Sequence, residues 1–421
     1  MSEWKETTLG SICTSIQYGY TESASDNPVD PKFLRITDIQ EDFINWNTVP
    51  HCPINNDDFL KYKLEIGDIC IARTGNSTGA VGFIKDNIKA VFASYLIRYK
   101  IDASFAFPPF INFLLKSLHW KKFVNSIKSG SAQAGANAKS FAEFPIQLPP
   151  LLEQKRIADV LTCLDSKIEN LRRQNETLEA IAQTLFKHWF IDFEFPNADG
   201  KPYKSSGGEM WRSELGDIPE GWQVLTLEKI CKTIYRYPQF YGMEKVESGV
   251  PVIRGEHLLK TGRISVDFSG YWFVKDEYSA KFSKTILEEF DVVLSVRGSV
   301  GNYSVVGKKH IHAQISPNTI RLSANPKIIR KFLLYPCLKV NQFKQKLLSI
   351  VSSSAVPAIN AFEFKTFEFA IPEMLVQDKL SDVFKDLYKK VDINEHQLET
   401  LTKTRDALLP KLMSGQLRVK E

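Results

Sequence analysis

The sequence predicts an α+β fold in which two similar α/β domains are separated by two long helices that pair as an antiparallel coiled coil. Two observations predict this architecture: the chain contains an internal duplication, and each copy of the duplicated segment ends in a sustained apolar heptad pattern. Of the 421 residues, 43% are apolar and 24% are charged. These proportions are ordinary for globular proteins and exclude collagen-like and wholly disordered chains.

The duplication is clearest where two segments are compared without gaps at a shift of 223 residues. Residues 131–185 and 354–408 are identical at 18 of 55 positions, whereas unrelated sequences of this composition agree at roughly one position in fifteen. At a shift of 218 the starts of the two copies also match, for example at Trp4 and Trp222. The interiors have diverged. The pattern therefore predicts one duplicated module with pseudo-two-fold symmetry rather than a solenoid of short repeats.

Each copy begins with a mixed α/β domain, and we place these domains at residues 1–150 and 217–372. Short apolar runs in both domains are followed by polar turns that begin at Arg73 and Arg297. This pattern is typical of buried strands that end in irregular loops. A loop of small residues precedes the end of each domain.

Each copy ends in a long helix, expected within residues 151–195 and 373–421, and residues 196–216 are expected to be a linker. Apolar side chains recur at alternating intervals of four and three residues over four heptads in both helices. The heptad positions of the first helix are Ile157, Leu161, Leu164, Ile168, Leu171, Asn175, Leu178, Ala182, Leu185 and Trp189. Those of the second helix are Leu380, Phe384, Leu387, Val391, Asn394, Leu398, Leu401, Arg405, Leu408 and Leu412. A period of 3.5 residues is typical of a coiled coil, and such helices need a partner in water.

The polar heptad positions favour an antiparallel pairing of the two helices. End-to-end alignment of residues 157–189 with residues 380–412 places Asn175 opposite Asn394. Two buried Asn side chains can satisfy each other's hydrogen bonds and define the register, whereas a parallel pairing would place each of them opposite a leucine. The alternative is that each helix packs only on its own domain, but the apolar pattern is narrow and long for that arrangement.

The sequence contains no set of residues that predicts catalysis or metal binding. Residues 107–110 (Phe-Pro-Pro-Phe) resemble the motif with which amino-methyltransferases hold the target amino group, but Phe107 cannot accept a hydrogen bond. Residues 301–309 lack the spacing of a phosphate-binding loop. His310 and His312 are expected on one face of a strand without a third ligand, and the six cysteines form no C-x-x-C pair. We therefore predict no catalytic residue, no metal and no cofactor on this chain.

Two similar domains on a shared coiled coil would suit the recognition of two short sites at a fixed separation. Double-stranded DNA matches this arrangement because equivalent groove faces recur about every 34 Å. The net charge of the chain is +5, and residues 217–372 contain 21 Lys and Arg against 14 Asp and Glu. A basic surface is consistent with a polyanionic partner, although charge alone is a weak signal.

The side chains that contact base edges in DNA are typically Arg, Asn, Gln, Ser and Thr on loops. The candidate contacts in the first domain are Arg35, Arg73, Thr74, Asn76, Ser77, Gln133, Asn137 and Lys139. Those in the second domain are Arg254, Arg297, Ser299, Gln314, Ser353 and Asn360. For each residue the alternative is an ordinary turn position or a solvated charge. Four tyrosines are expected either beside the DNA or in the core: Tyr18, Tyr20, Tyr235 and Tyr237.

Four segments make this sequence similar to the specificity subunits of type I restriction-modification systems. They are LPPLLEQKRIA at 148–158, LFKHWFIDF at 185–193, IPEGW at 218–222 and LLPKLMSG at 408–415. The resemblance covers essentially the whole chain, and the family's order of target recognition domain, conserved helix, target recognition domain and conserved helix is also the order expected here. Residues 371–378 are a degraded copy of the segment that opens the first helix.

The resemblance implies a non-catalytic DNA-binding subunit in which each target recognition domain reads one half of a bipartite target and the coiled coil sets the spacing. It implies two adenine methyltransferase subunits, which bind S-adenosylmethionine, and restriction subunits that use ATP and magnesium. Such a complex methylates DNA and defends a bacterial or archaeal cell against foreign DNA. We expect the coiled coil, with His188, Trp189 and Phe190, to dock the methyltransferase subunits; the alternative for these three residues is a hydrophobic cap on the coiled coil.

Two other hypotheses remain open at this point. The chain could hold methyltransferase or nuclease activity itself, or it could be a coiled-coil adaptor that joins proteins rather than DNA. The sequence has no run of 18 apolar residues and no basic segment followed by an apolar one at its start. We therefore expect a cytoplasmic protein without a membrane span or a secretory signal.

Overall fold

The structure is a computed structural model, and the residues that it describes are 4–28, 30–39, 44–129, 136–236, 244–259, 261–297, 300–351, 359 and 361–419. The chain forms two compact units. Unit 1 consists of Met1–Glu169 and Thr400–Glu421, and unit 2 consists of Asn170–Glu399. We call residues 1–150, which belong to unit 1, head 1, and residues 217–372, which belong to unit 2, head 2.

Head 1 is a mixed α/β domain, as predicted. Its strands are β1 (Lys5–Thr8), β2 (Cys13–Tyr18), β3 (Lys32–Leu34), β4 (Ile69–Ala72), β5 (Val81–Phe83), β6 (Ala90–Phe92), β7 (Leu96–Ile101) and β8 (Pro145–Leu148). Its helices are α1 (Asn56–Tyr62), α2 (Pro108–Leu114), α3 (Leu118–Ser129) and α4 (Ala138–Ala142). An antiparallel sheet of order β2-β7-β4-β5 is accompanied by a parallel pair, β3 with β6, and by an antiparallel pair, β1 with β8.

A long helix and a hairpin follow head 1. Helix α5 (Leu151–Phe186) continues into a π-helical turn at Lys187–Ile191. The hairpin consists of β9 (Met210–Ser213) and β10 (Gly216–Pro219). Residues 196–216, predicted to be a linker, thus include β9 and the start of β10, so this connection is folded.

Head 2 is the second mixed α/β domain. Its strands are β11 (Gln223–Thr226), β12 (Cys231–Arg236), β13 (Val250–Ile253), β14 (Trp272–Val274), β15 (Val292–Ser295), β16 (Tyr303–Val305), β17 (Gln314–Ile315), β18 (Thr319–Ala324) and β19 (Glu368–Ile371). Its helices are α6 (Leu227–Ile230), α7 (Asp276–Ala280), α8 (Lys331–Leu338), α9 (Asn341–Ser349) and α10 (Ala361–Phe364). Helix α11 (Met374–Met413) follows. The expectation of a strand around His310 and His312 is wrong, because Lys308–His310 forms a 3-10 turn and His312 has a positive φ of 68°.

The two heads share the order of their main sheet and the pairing of four further strands, which extends the duplication into the diverged interiors. The main sheet of head 2 has the order β12-β18-β15-β16, β13 and β17 form a parallel pair, and β11 and β19 form an antiparallel pair. Head 2 differs by an additional strand, β14, which pairs antiparallel with β13. Both main sheets contain a buried carboxylate beside a buried arginine at equivalent positions. Arg98 Nη1 lies 3.6 Å from Asp68 Oδ2, and Arg321 Nε donates to Asp291 Oδ2 at 2.7 Å.

Heptad side chains of both long helices contribute to the core of each unit. In unit 1 the buried core of head 1 includes Ile157 and Leu161 from α5 and Leu412 from α11. In unit 2 the core of head 2 includes Ala182 from α5 and Phe384 from α11, together with other side chains of both helices. The core of head 1 thus contains the beginning of α5 and the end of α11, and the core of head 2 contains the end of α5 and the beginning of α11. The hypothesis that each helix packs only on its own domain is therefore wrong.

The two helices are antiparallel, as predicted from the asparagines. In unit 2 the Asn394 amide donates to Asn175 Oδ1 at 2.8 Å, and Asn394 is fully buried. In unit 1 Arg405 Nη1 donates to Asp165 Oδ1 at 3.1 Å. Both contacts follow the antiparallel register, in which residue numbers rise along one helix as they fall along the other.

A duplicated, fully buried glutamine joins the first turn of each long helix to its head. Gln154 accepts a hydrogen bond from the main-chain N–H of Phe107 at 2.8 Å and donates to the carbonyl oxygens of Phe105 and Pro149. Gln377 makes the same three kinds of bond with the main chains of Arg330, Ile328 and Pro372. The two glutamines of the helices thus form hydrogen bonds with main-chain groups that would otherwise be buried without a partner. These bonds orient each head on its helix.

Candidate nucleic-acid interface

Several candidate residues of head 1 lie at one edge of the main sheet. Strands β2 and β4 end at this edge, where Tyr18 pairs with Ile97 and Ala72 pairs with Leu96 of β7. Because β7 is antiparallel to both neighbours, the loops that leave β2 and β4 meet at the edge where β7 begins. We call this set of strand ends and the loops that leave them the loop edge of head 1.

Arg73 lies at the centre of the loop edge of head 1. Its Nε donates to the carbonyl oxygen of Ser94 at 3.2 Å, and its guanidinium carbon lies 5.1 Å from the centre of the Tyr18 ring. Tyr18 is 42% exposed and Tyr95, whose carbonyl oxygen accepts from the Arg73 N–H, is 56% exposed. A cation held over one exposed aromatic ring, with a second exposed tyrosine at the same edge, is a suitable group for contacting bases or phosphates.

The turn after Arg73 displays the other polar candidates. Thr74 and Ser77 are half-buried and Asn76 is exposed. Gly75 has a φ of +70°, a conformation that favours glycine, and its carbonyl oxygen accepts from the Thr78 hydroxyl at 2.7 Å. The turn is therefore held by its own main chain, which leaves the amide of Asn76 exposed to solvent.

The start of α4 also lies at this edge. The main-chain N–H of Ala138 donates to the Tyr18 hydroxyl at 3.1 Å. Asn137 caps α4 by accepting from the N–H of Ser140 at 2.9 Å, and Lys139 is exposed. Asn137 thus has a structural role, and its predicted base contact stays a prediction. Gln133 lies outside the described residues.

Head 2 has an equivalent loop edge at the corresponding strand ends. Arg236 at the end of β12 pairs with Ile320, and Ser295 at the end of β15 pairs with Thr319. Arg297 follows two residues after β15 and is exposed. Both arginines therefore lie at the loop edges of their heads, but they are not direct counterparts, because the pairing of Ala72 with Leu96 and of Ser295 with Thr319 places Val296 at the position of Arg73. Three further candidates of head 2 lie outside the described residues: Ser299, Ser353 and Asn360.

Arg236 is a residue of the loop edge that the sequence analysis missed. Its Nε donates to the carbonyl oxygen of Pro317 at 2.8 Å. Burial, together with the neighbouring charge of Arg297, lowers the pKa of Arg236. The shift of 218 residues places Arg236 at the position of Tyr18, and this correspondence was the signal that could have identified it. Tyr95 was missed because nothing in its local sequence distinguishes it from a core tyrosine.

Arg35 and Arg254 occupy equivalent positions at the ends of the parallel strand pairs, and both guanidinium groups bind within their own heads. Arg35 Nε and Nη2 donate to the Asp38 carboxylate at 3.0 and 2.9 Å. Arg254 Nη2 donates to the Gly270 carbonyl oxygen at 2.6 Å, and its guanidinium lies 4.2 Å from the Trp272 ring centre. These contacts give both residues a folding role, and DNA contacts for them stay predictions.

The prediction of a base contact for Gln314 is wrong. The side chain is 1% exposed in strand β17, and its amide donates to the main-chain and hydroxyl oxygens of Ser279 at 3.1 Å. A ligand on the surface of head 2 cannot reach this amide without unfolding the strand. The sequence did not reveal this because a buried glutamine and an exposed one look alike without the tertiary contacts.

The expected docking cluster is divided between surface and core. Phe190 is 3% exposed and stacks on Phe186 with ring centres 4.5 Å apart, and it also packs edge-on against Trp222 at 5.5 Å. Phe190 is therefore a core residue, and its assignment as a partner contact is wrong. Trp189 is half-buried against the same core, whereas His188 is exposed. Partner docking stays a prediction for these two.

The tyrosines expected beside the DNA or in the core also differ in their surroundings. Tyr20 packs against Tyr62 with ring centres 5.3 Å apart and belongs to a small core cluster. Tyr235 is half-buried with Lys284 5.5 Å from its ring centre. Tyr237 lies outside the described residues. Among the three described tyrosines, Tyr18 is the one placed at a loop edge with a large exposed fraction.

Two further features concern the described part of the chain. No group of three or more His, Cys, Asp or Glu side chains there is arranged to hold a metal ion. No helix there is both long enough and apolar enough to span a membrane.

The chain matches known proteins over nearly its whole length. The model of the type I restriction modification DNA specificity domain matches residues 1–180 and 219–403. The MjaIX specificity subunit of Methanocaldococcus jannaschii is 29% identical over 74% of this chain and 69% of the relative. The HindI specificity subunit of Haemophilus influenzae is 24% identical over 99% of this chain and 100% of the relative.

A solved structure has the same fold. The S subunit of a type I restriction-modification system from M. genitalium aligns with a TM-score of 0.57 and 17% identity over 97% of this chain and 96% of that chain. The family model covers far more than half of the sequence, in two segments that correspond to the two heads with their helices. The chain therefore belongs to the family of type I restriction-modification specificity subunits.

Proposed function

We propose that this chain is the sequence-specific DNA-binding subunit of a type I restriction-modification complex. Each head reads one half of a bipartite target, and the paired helices set the spacing of the halves and dock two adenine methyltransferase subunits. The observation that carries the proposal is the duplication itself: two heads whose main sheets have the same strand order each place an arginine at an equivalent loop edge, Arg73 and Arg297, and both units contain part of the same helix pair.

The chemistry of the loop edges supports DNA as the ligand. Arginine is the side chain that most often reads guanine in the major groove, and asparagine can bond to adenine in the same way. Arg73 and Arg297 are cations on loops, and Asn76 offers an exposed amide beside Arg73. Exposed Tyr18 and Tyr95 add stacking surfaces.

In this proposal the chain selects DNA and its partners do the chemistry. The methyltransferase subunits bind S-adenosylmethionine and transfer a methyl group to adenine, which must leave the base stack to be reached. The restriction subunits, where present, use ATP and magnesium. The complex works in the cytoplasm of a bacterial or archaeal cell, where it defends against foreign DNA. The relatives' names as specificity subunits support this division of roles.

The test is methylation mapping of DNA from cells that express this chain with its methyltransferase. We expect one bipartite methylated sequence with a constant gap. Replacement of residues 1–150 by the corresponding domain of another family member should change one half of that sequence and leave the other half unchanged. A single undivided target, or changes in both halves, would contradict the proposal.

Two further measurements separate this proposal from the alternatives. The purified chain alone should transfer no label from radioactive S-adenosylmethionine to DNA, whereas an enzyme in its own right would do so. With the methyltransferase added, a complex that retained all DNA sequences equally would instead indicate an adaptor between proteins.

A further inference from the structure

Two arginines converge at the loop edge of head 2. Arg236 ends β12 and Arg297 follows β15, and these strands flank β18 on its two sides. Their last paired residues, Arg236 and Ser295, lie opposite Ile320 and Thr319, which are neighbours at the start of β18. The two strands therefore end at the same edge of the sheet, one residue apart along β18, and Arg297 lies two residues beyond the end of its strand.

The guanidinium of Arg236 is oriented by the main chain. Its Nε donates to the Pro317 carbonyl oxygen at 2.8 Å, and Pro317 belongs to the turn that leads into β18. A guanidinium held through Nε keeps its plane fixed and still has the two terminal nitrogens to offer to another pair of acceptors. That geometry suits a planar ligand edge with two acceptors side by side.

The two cations have no acidic counterpart in the part of the chain that the structure describes. None of its carboxylates lies within 4.0 Å of the guanidinium nitrogens of Arg236 or Arg297. By contrast, Arg321 in the same sheet contacts both Asp291 and Glu288. Two like charges held close without a carboxylate are unfavourable until a ligand supplies electron-rich acceptors, so this pair is a candidate binding site.

The corresponding positions of head 1 have different chemistry. Tyr18 takes the place of Arg236, and the single guanidinium of Arg73 lies over the Tyr18 ring with its centre 5.1 Å away. At these positions head 1 thus presents one guanidinium on an aromatic ring, whereas head 2 presents two guanidinium groups. Because these strands are equivalent, the two heads differ here in their side chains and not in their backbone fold. Two heads that read different DNA sequences require such a difference in side chains.

We propose that Arg236 and Arg297 form the guanine-reading pair of head 2, with the O6 and N7 acceptors of guanine in the major groove as their ligands. This inference rests on the proposed function and names the specificity-determining residues of one head. Arg236 was not among the sequence candidates, and its role follows from its convergence with Arg297 at the loop edge.

The test uses Arg297→Lys and Arg236→Lys, each in the full chain expressed with the methyltransferase. Lysine keeps the charge but lacks the rigid planar fork of the guanidinium, so its bonds to the O6 and N7 of guanine are less strictly oriented. We expect the methylated motif to lose its preference for G·C at one position of one half-site, with the other half-site unchanged. In binding assays, discrimination against a base change at that position should fall by roughly 5- to 150-fold.

The matched control is Arg212→Lys, on the exposed hairpin strand β9, where Arg212 contacts Asp217. This variant should keep both half-sites and the wild-type affinity. Arg297 is exposed, so its substitution leaves the core of head 2 intact and its result stands even if Arg236→Lys is found to unfold.

The opposite result would identify a phosphate contact. The inference is overturned if both lysine variants keep the wild-type motif and Arg297→Gln lowers the affinity for all DNA sequences alike. In that case the number of ions released on binding, measured from the salt dependence of the affinity, should also fall by about one. The arginines would then contact the DNA backbone. The proposed function survives that outcome, because the wild-type chain would still produce a bipartite motif. It fails only if the wild-type chain produces none.

Discussion

Asn394 and Asn175, which are 219 positions apart in the sequence, share a hydrogen bond in the interior of unit 2. The Asn394 amide nitrogen lies 2.8 Å from Asn175 Oδ1, and Asn394 is completely buried. A polar pair among apolar heptad positions costs stability but allows only the register in which the two amides meet. This hydrogen bond therefore favours one register of the antiparallel helices within unit 2.

The first prediction concerns this pair. Asn394→Leu leaves the Asn175 amide facing a leucine, and we expect the apparent free energy of unfolding in urea to fall by about 1–3 kcal/mol. The double variant Asn175→Leu/Asn394→Leu removes both polar groups and should recover most of that loss. Glu176→Gln, at an exposed neighbouring position, is the control and should change stability by less than about 0.5 kcal/mol. Equal effects of the single variant and the control would show that the pair does not define the register.

The second prediction concerns the buried glutamines. Gln154→Met removes three hydrogen bonds to the main chain and leaves buried peptide groups unpaired, so we expect a loss of about 2–4 kcal/mol. Gln377→Met should cost a similar amount because its bonds are the same. Gln183→Met on the exposed side of α5 is the matched control. If urea titration gives the same stability for Gln154→Met and Gln183→Met, the buried bonds do not hold the head.

The third prediction concerns the spacing of the half-sites. We insert seven residues after Leu178 and seven before Val391, which are opposite positions in the antiparallel register. One heptad in each helix adds about 10 Å, or roughly three base pairs, and keeps the heptad pattern intact. Methylation mapping should show a wider gap between unchanged half-sites. A chain with only one of the two insertions is the control and should lose the paired register. Altered half-sites with the original gap would exclude the helices as the spacer.

The fourth prediction concerns pH. Burial lowers the pKa of His257 and of His310 to about 4, so both imidazoles are neutral in folded head 2 near neutral pH. In the unfolded chain both histidines bind a proton below a pH of about 6.5, whereas in the folded chain they do so only near pH 4. The free energy of unfolding therefore falls as the pH is lowered from about 6.5 to about 4. Each histidine contributes on the order of 2–3 kcal/mol to this loss.

The variant that checks the pH dependence is His310→Gln, whose amide can still donate to the Ser265 carbonyl oxygen that His310 contacts at 2.9 Å. Urea titrations at several pH values should show a shallower dependence between pH 6.5 and 4. His312→Asn is the control, since His312 is exposed and asparagine tolerates its positive φ. An unchanged slope for His310→Gln would show that this imidazole does not set the acid sensitivity.

Much of the fold was predictable because it is periodic or repeated. The heptad pattern predicted both helices and the contact between Asn175 and Asn394, since burial of one apolar stripe leaves little choice of register. The duplication predicted two similar heads. The shift of 223 residues also aligns Asp68 with Asp291 and Arg98 with Arg321, but only the tertiary structure shows that each carboxylate lies beside its arginine in a buried pair.

The candidate site was predictable only in part. The turn that begins at Arg73 and the end of the strand before Arg297 were located correctly, because a buried apolar run followed by polar residues marks the end of a strand. The residues that follow Arg297 directly lie outside the described part of the chain. The sequence could not separate Gln314, which bonds inside head 2, from residues that face solvent. Nor could it show that Arg236 and Arg297 lie at the same edge of the sheet, since sixty positions lie between them and only the strand order brings their strand ends together.

The sequence by itself determined the duplication, the two heptad helices and the direction in which they pair, because these depend on regular spacing along the chain. The tertiary structure alone decided which polar side chains are buried, as with Gln314, and which converge at a surface, as with Arg236 and Arg297. The physical reason is that exposure and convergence depend on strand order and pairing register, which are set by contacts between residues far apart in the chain.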